Sequence, residues 1–272
     1  MNFLFLWWTT KINTVTIDFA GAVIRSSNME WKINRYASLD STNEEAFRAI
    51  ATGKVAEGWV LWANEQTQGR GAGENHWESE PGKNLTFSLV LQPGFMLPEQ
   101  QFVLTQCISL ALYNVAEKRL GRDNLFIKWP NDIWFEQKKI AGVLIQNLIS
   151  GNHIRYAVVG VGLNVNQTVF FSDAPNPASL IHFTGKTEDI ELLLTEILHK
   201  FDSLYVTLSK DINALNQSYL EKLYRYGQQG TYRDADGVFE ARLTGVDHYG
   251  RLLLRDDLGK QRIYGFKEVE FL

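Results

Sequence analysis

One stretch of the chain, residues 125–145, places polar side chains at the ends of two neighbouring predicted strands. The sequence Leu-Phe-Ile-Lys-Trp-Pro-Asn-Asp predicts a buried strand that ends at Pro130, because proline cannot donate to a sheet ladder. Its lysine, asparagine and aspartate therefore lie at the strand end. The second strand, residues 139–145, has a glycine among apolar residues, which indicates close approach of another group to its backbone. Cations and amides beside a glycine suit a small anionic ligand, which predicts an enzyme.

Composition excludes several other classes of protein. With 272 residues, 45% hydrophobic and 21% charged, the chain is typical of a soluble globular protein, and no apolar run is long enough to span a bilayer. A net charge of −4 argues against broad DNA binding, which needs a basic face. Cys107 is the only cysteine, so a reducing cytoplasm fits and a buried structural thiol is predicted. The histidines lack paired ligand spacing and no nucleophile elbow is present, so no metal site from the protein alone is predicted.

The pattern along the chain predicts three parts. Residues 1–28 lack both the basic start of a secretory signal and a helix-turn-helix pattern, and strand-like alternation begins just after Met29. We interpret residues 1–28 as a non-essential leader and Met29 as the physiological start. Residues 29–226 mix helices and strands. They include a turn-rich loop at about 172–186, after which Thr187 is predicted to cap a helix. Residues 227–272 form short strands separated by turns, which predicts a small β-barrel.

The glycine-rich sequence Gln-Thr-Gln-Gly-Arg-Gly-Ala-Gly, residues 66–73, suits an anion. Closely spaced glycines let backbone N–H groups converge on an anion, and Arg70 adds a guanidinium that pairs with carboxylate or phosphate. The loop matches neither a Walker A loop nor a dinucleotide-binding fingerprint. A plain turn therefore remains an alternative interpretation.

Three further segments have both a structural and a ligand-binding interpretation. Residues 41–43, Ser-Thr-Asn, match a helix capping box with the glutamates that follow, or give hydroxyl and amide groups to a polar head group. Residues 160–166, Gly-Val-Gly-Leu-Asn-Val-Asn, are a strand running into a turn, or a glycine pair that admits a flat ring with Asn164 bonding to its edge. Trp77 belongs to the core, or stacks on a base.

Taken in order, these motifs resemble those of the biotin–protein ligases, also called biotin–[acetyl-CoA-carboxylase] ligases. The resemblance covers about residue 31 to the C terminus. Its most specific part is residues 128–144, called the lysine-bracketed stretch because Lys128 begins it and Lys138 and Lys139 follow. It implies an α+β fold with a catalytic domain of the class II synthetase-like, biotin/lipoate ligase type. That domain has a mixed or antiparallel sheet packed by helices, and a C-terminal SH3-like β-barrel follows. Without a helix-turn-helix domain, the chain looks like the ligase-only class that lacks a DNA-binding domain.

The resemblance implies a two-step reaction. The carboxylate of biotin attacks the α-phosphorus of ATP, with Mg²⁺, to give biotinyl-5′-AMP and pyrophosphate. The amine of a lysine on a biotin carboxyl carrier domain of a biotin-dependent carboxylase then attacks the mixed anhydride. Because two anions must meet, cations have to neutralise both. No DNA or membrane partner is implied, and the sequence leaves a homodimer open.

Two other functions remain as alternatives. A lipoate–protein ligase has a similar catalytic domain and also charges a carrier lysine; the Lys-Trp-Pro-Asn-Asp sequence and the barrel favour biotin. A non-catalytic biotin-binding protein has no need to activate a carboxylate, and the presence of both Arg70 and Lys139 argues against it.

The family pattern assigns the candidate site residues to three groups. In the catalytic group, Arg70 and Lys139 meet the biotin carboxylate and the α-phosphate, and Asp132 orients the acceptor amine or a metal. The biotin-binding group is Ser41, Thr42, Asn43, Gln66, Gly69, Arg70, Lys139, Gly142 and Leu144. The ATP-binding group is Gly71, Trp77, Lys128, Asn131, Gly162 and Asn164.

One departure from the family pattern lies in the glycine-rich loop. The family's loop commonly carries further arginines after Gly-Arg-Gly, whereas this chain has Ala72 and Asn75 with Glu74 between them. The loop therefore loses positive charge and gains a carboxylate. We predict weaker retention of ATP or of the adenylate, unless Lys83 or another cation compensates.

Overall fold

The computed structural model describes residues 22–25, 29–172, 176–208 and 211–272. An eight-stranded sheet forms the centre, in the spatial order β1-β2-β3-β4-β8-β7-β6-β5. Its strands are β1 (Ala22–Arg25), β2 (Glu30–Tyr36), β3 (Trp59–Ala63), β4 (Leu85–Leu91), β5 (Leu125–Lys128), β6 (Asp132–Phe135), β7 (Lys138–Ser150) and β8 (His153–Leu163). Strands β2 and β3 pair in parallel, and the other neighbours pair antiparallel, so the sheet is mixed.

Helices cover both faces of this sheet. They are α1 (Thr42–Ala51), α2 (Phe102–Leu120), α3 (Leu180–Thr184), α4 (Ile190–Thr207) and α5 (Ile212–Lys222), with a 3₁₀ turn at Pro98–Gln100 before α2. Alternate residues of the central strands enter separate cores: Leu89 joins the large core that contains α2 and α4, while Val90 joins the small core beneath α1. Every residue of β4 is therefore buried, as expected for a strand covered on both faces.

The segment after β8 differs from the predicted turn-rich loop. It contains α3, which begins after Ser179 and ends at Gly185, whose φ of 66° is the left-handed conformation that ends many helices. The cap of α4 is Asp189 and not Thr187, because the Asp189 carboxylate accepts hydrogen bonds from the N–H groups of Glu191 and Leu192. Part of the predicted loop, residues 173–175, lies outside the described residues.

Strand β1 lies inside the predicted leader. It pairs antiparallel with β2, from Arg25 opposite Glu30 to Ala22 opposite Ile33. Residues 22–25 thus extend the sheet at its edge. Residues 1–21 and 26–28 lie outside the described residues, so the interpretation of residues 1–28 as a leader stays a prediction.

A second, five-stranded antiparallel sheet forms the C-terminal part, in the order β12-β11-β10-β9-β13. Its strands are β9 (Gln229–Asp234), β10 (Gly237–Val246), β11 (Leu252–Asp256), β12 (Gln261–Tyr264) and β13 (Glu270–Phe271). Its interior contains fully buried Tyr232, Leu243 and Leu254. These two sheets confirm the predicted α+β class. None of the described helices is long and apolar enough to cross a membrane.

The C-terminal sheet, called the barrel below, is joined to the rest through the end of β5. Trp129 is buried, and its Nε1 donates to the carbonyl oxygen of Gly250 at 3.0 Å. Gly250 has no room for a side chain, because an added Cβ would lie within 3.0 Å of three atoms of the Phe102 ring. The hydroxyl of Tyr219, in α5, donates to the carbonyl oxygen of Pro130 at 2.7 Å and fixes the end of β5. The lysine-bracketed stretch therefore contacts the barrel through Trp129 and a helix through Pro130.

Candidate active site

A cavity of about 710 Å³ lies between the sheet, the glycine-rich loop and the barrel. Its lining includes all of the predicted site residues except Gly69. The residues brought together are Ser41, Thr42, Asn43, Gln66, Arg70, Gly71, Trp77, Lys128, Asn131, Asp132, Lys139, Gly142, Leu144, Gly162 and Asn164. Gly69 supports the loop, because an added Cβ would clash with the carbonyl oxygen of Trp77.

The floor of the cavity is a glycine-lined patch of β7 and β8. Gly142 lies opposite Gly162 in the sheet register, and Leu144 lies opposite Gly160. The two glycines of β8 follow Val158 at every second position, so they continue the face that α1 covers. The absence of side chains there leaves space for other groups above the sheet.

Parts of the protein itself occupy some of that space. An added Cβ on Gly162 would lie within 2.7 Å of three atoms of the Trp77 indole, and one on Gly160 would lie within 3.1 Å of three atoms of the Asn43 side chain. The flat ring admitted by Gly162 is therefore that of Trp77. Asn43 is held above Gly160.

The glycine-rich loop is a short hairpin closed by its own hydrogen bonds. The N–H of Trp77 donates to the carbonyl oxygen of Gly69 at 2.9 Å, and the N–H of Gly71 donates to that of Asn75 at 2.7 Å. Gly73, with φ of 68°, forms the tip. The prediction that loop N–H groups converge on an anion is therefore wrong for Gly71, whose N–H is already bonded within the loop.

Two predicted catalytic cations each have a carboxylate partner. Lys139 Nζ lies 2.8 Å from Asp132 Oδ1, with both side chains mostly buried. Gly142 leaves room for this pair, because an added Cβ would lie 3.1 Å from Lys139 Nζ and 3.3 Å from Asp132 Oδ1. In the loop, Arg70 Nη1 lies 2.8 Å from Glu44 Oε1 at a more exposed position. Both cations thus lie at the cavity. An incoming anion competes for Lys139 with Asp132, and for Arg70 with Glu44.

A polar network lines the cavity at the start of α1. Ser41 is the N-cap residue, but its side chain makes no capping hydrogen bond, so the capping-box interpretation is wrong. Instead, the backbone N–H and the hydroxyl of Thr42 donate to Gln66 Oε1 at 2.8 and 3.1 Å. Asn43 Nδ2 donates to Gln146 Oε1 at 2.8 Å. Buried Ser88 links the two, with its Oγ 2.7 Å from Thr42 Oγ1 and 2.6 Å from Asn43 Oδ1.

We expect Ser88→Ala to lower the free energy of unfolding by about 1–3 kcal/mol, because it removes the hydrogen-bond partner of the buried Asn43 Oδ1 and one of the two partners of the Thr42 hydroxyl. Urea titration followed by circular dichroism measures this change. Ser203→Ala is the matched control, since Ser203 is exposed and bonds only its own helix, at the carbonyl of Lys200. Equal effects of the two substitutions would contradict the network.

Three residues predicted to bind the nucleotide, Asn131, Lys128 and Asn164, differ in the contacts that their polar groups make. Asn131 Nδ2 donates to the carbonyl oxygen of Val143 at 2.9 Å, so this amide is bound to β7. Lys128 Nζ lies 4.1 Å from the centroid of the Trp134 ring, and burial lowers the pKa of this ammonium. Asn164 is buried, and its Oδ1 has no hydrogen-bond partner among the described residues. Asn164 therefore holds a buried acceptor that no described residue satisfies.

Metal ligands are sparse in the described part of the chain. Among the described residues, no group of three or more histidine, cysteine, aspartate or glutamate side chains is placed to hold a metal ion. Asp132 and Glu74 are carboxylates of the cavity lining. A magnesium ion bound mainly through phosphate oxygens, with one carboxylate, is compatible with this set.

Comparison with known proteins identifies the family. Residues 36–164 match the Biotin/lipoate A/B protein ligase family. Over 238 residues the chain is 32% identical to the biotin–[acetyl-CoA-carboxylase] ligase of Paracoccus denitrificans, which covers 84% of this chain and 95% of that relative. The chain belongs to the biotin–protein ligase family. It is also 29% identical to the bifunctional ligase/repressor BirA of Bacillus subtilis, over 84% of this chain and 71% of the relative.

Solved structures of biotin–protein ligases have the same fold. The structure of the Aquifex aeolicus enzyme in complex with biotin and ATP is 25% identical and superimposes with a TM-score of 0.72, covering 88% of this chain and 98% of that chain. A single-residue mutant of the same enzyme in complex with biotin gives a TM-score of 0.68 at 26% identity, covering 88% of this chain and 97% of that chain. The ligase-only class stays a prediction.

Sequence reasoning about this biotin–protein ligase missed the contribution of the barrel to the cavity. Residues of the turn before β13, and of β13 itself, join the lining: Phe266, Lys267, Val269, Glu270 and Phe271. The resemblance of residues 267–269 to the family's barrel does not indicate a place in the cavity, because long-range contacts such as those of Trp129 with Gly250 and Phe266 bring the barrel to this position. Lys83, suggested as a compensating cation, does not line the cavity.

Proposed function

We propose that this chain is a biotin–[acetyl-CoA-carboxylase] ligase, which attaches biotin to a lysine of a carrier domain through biotinyl-5′-AMP. One observation carries the proposal: a single cavity brings the Lys139–Asp132 pair and Arg70 to a glycine floor that has a hydrogen-bonding network at one side. The reaction joins two anions, and such an arrangement of cations suits both. Family membership assigns the ligand pair as biotin and ATP.

In the first step, Lys139 holds the biotin carboxylate and the α-phosphate of ATP. The carboxylate oxygen attacks the α-phosphorus, the bond to the β-phosphate oxygen breaks, and pyrophosphate leaves. The ammonium of Lys139 leaves Asp132 in part and stabilises the charge that develops between the two anions. Thr42 and Gln66 hold the polar head group of biotin. Trp77 and the acceptor oxygen of Asn164 lie toward the adenine.

In the second step, the ε-amine of the carrier lysine attacks the carbonyl carbon of biotinyl-5′-AMP and AMP leaves. Asp132 accepts a hydrogen bond from this amine and orients it. Asp132 or Glu74 would hold Mg²⁺ together with the phosphates of ATP, and the ion would supply neutralising charge there. The partner is the carrier domain of a biotin-dependent carboxylase, and the location is the cytoplasm, where the buried Cys107 stays reduced. A homodimer remains a prediction.

We expect biotin to drive exchange of labelled pyrophosphate into ATP, because adenylation is reversible and needs no carrier. The measurement compares biotin, lipoate and no acid at equal concentration with the full chain. Exchange with lipoate alone would identify a lipoate–protein ligase. No exchange with either acid, together with retained biotin binding by calorimetry, would identify a non-catalytic biotin-binding protein.

A further inference from the structure

The turn between β12 and β13 presents one lysine in an unusual conformation. The N–H of Gly265 donates to Glu268 Oε2 at 2.6 Å, and the N–H of Glu268 donates back to the carbonyl oxygen of Gly265 at 3.2 Å. Lys267 lies between them with φ of 65°. Positive φ is uncommon for residues other than glycine, asparagine and aspartate, so lysine is a costly choice at this turn.

Lys267 reaches across to the tip of the glycine-rich loop. An added Cβ on Gly73 would lie 2.9 Å from Lys267 Nζ and 3.7 Å from its Cε. The rings of Phe266 and Trp129 lie 6.4 Å apart between centroids, which keeps the turn against the catalytic domain. The barrel thus places an ammonium group over a loop that belongs to another part of the chain.

The ammonium of Lys267 contacts a neighbouring ring: its Nζ lies 5.8 Å from the centroid of Phe266. Among the described residues, no carboxylate lies within ion-pair distance of its Nζ, and the Glu268 carboxylate accepts the Gly265 N–H. The loop itself carries one cation, Arg70, which is paired with Glu44, and one carboxylate, Glu74. A polyanion beneath this loop would therefore meet Lys267 as an additional cation that has no carboxylate partner among the described residues.

The position of Lys267 indicates which part of the polyanion it meets. Lys139 Nζ lies 5.9 Å from the Trp77 ring, at the base of the hairpin that the Gly69–Trp77 hydrogen bond closes. Lys267 lies at the opposite end of the hairpin, at Gly73. With Lys139 at the α-phosphate, the cation at the tip lies toward the outer end of the phosphate chain.

We propose that Lys267 binds the β- and γ-phosphates of ATP, and so supplies from the barrel the positive charge that the glycine-rich loop lacks. This inference rests on the proposed function and adds a substrate-binding residue to it. It also gives the barrel a direct part in the first step. The departure at Ala72 and Asn75 is then compensated by Lys267 and not by Lys83.

The test is steady-state biotin-dependent exchange with the full chain. Lys267→Ala should raise KM for ATP by about tenfold, equivalent to about 1.4 kcal/mol, and raise KM for pyrophosphate in parallel, since pyrophosphate consists of these two phosphates. KM for biotin and kcat should change by less than about twofold. Lys267→Arg should retain most of the ATP affinity, because it keeps the charge. Lys260→Ala removes an exposed barrel lysine that does not line the cavity, and serves as the control.

Two further measurements separate a phosphate contact from a structural role. Lys267→Ala should leave the Kd for biotinyl-5′-AMP within about twofold, because that ligand has only the α-phosphate. Adding Ala72→Arg to Lys267→Ala should restore part of the ATP affinity by returning a cation to the loop. An unchanged KM for ATP would overturn the proposal, and an equal loss of ATP and biotinyl-5′-AMP affinity would overturn the assignment to the outer phosphates.

If the chain is not a biotin–[acetyl-CoA-carboxylase] ligase, the exchange assay gives a different result. In that case the wild-type chain shows no biotin-dependent exchange, and binding of adenosine 5′-(α,β-methylene)triphosphate is measured instead by calorimetry. A Kd about tenfold higher for Lys267→Ala than for the wild type would support the phosphate contact independently of ligase activity. Equal Kd values would overturn it.

Discussion

Lys139→Ala is expected to lower kcat for biotin-dependent ATP–pyrophosphate exchange by about 10²–10³-fold, the usual cost of removing a preorganised donor at a developing charge. The effect is large because Lys139 is mostly buried and lies over Gly142 of the glycine floor, beside Asp132. Its loss also leaves the carboxylate of Asp132 without its partner in the cavity. That negative charge then opposes both the biotin carboxylate and the α-phosphate.

Lys138→Ala is the matched control for this experiment. Lys138 is the neighbouring residue in β7, but it is exposed and does not line the cavity. Successive side chains of a strand point to opposite faces, so the two substitutions remove the same group from opposite sides. We expect Lys138→Ala to keep wild-type exchange, and both variants to keep a similar thermal midpoint. A comparable kcat in both variants would contradict the role of Lys139.

The parts of the site that follow from local sequence were predictable. Pro130 ends β5, so the polar residues on each side of it had to lie at a strand end. Gly142 among apolar residues indicated close approach, and the structure places the Lys139–Asp132 pair above it. In these cases one rule about strands or glycine is enough, because the residues that decide the geometry are neighbours in sequence.

The parts that depend on distant segments were not predictable. The local pattern of Ser41 and Thr42 favours a capping box, yet Gln66 and Ser88 provide the partners of Thr42. Lys267 lies in a segment that resembles the family's barrel, but its place at the cavity follows from long-range contacts of the barrel, such as that of Gly250 with Trp129. Such contacts join elements far apart in the chain, and no periodicity or turn signal encodes which of them meet.

Gly160 and Gly162 form the glycine pair of β8. The second large effect on activity is expected from a substitution of Gly162. Gly162→Ala should lower kcat/KM for ATP by about 10²-fold, a cost that a misplacement of about 1 Å can cause at a reacting centre. An added Cβ would lie within 2.7 Å of three Trp77 indole atoms, whereas ordinary contact begins at 3.4 Å. The indole must move by about 1 Å, and with it the hairpin that Trp77 closes at Gly69.

Steady-state exchange with ATP varied measures this effect, and a glycine elsewhere provides the control. Gly94→Ala adds the same methyl group where no atom lies within 4 Å, at a position whose φ is not in the left-handed region, so it should leave kcat/KM unchanged. Trp77→Phe in the Gly162→Ala background should recover part of the loss, because the atoms that clash belong to the larger indole. If kcat/KM for ATP of the double variant is no higher than that of Gly162→Ala, the effect of Gly162 does not depend on the position of the Trp77 indole. Wild-type kcat/KM in Gly162→Ala itself would mean that the indole does not need its place on the sheet for the reaction, and that the glycine serves packing alone.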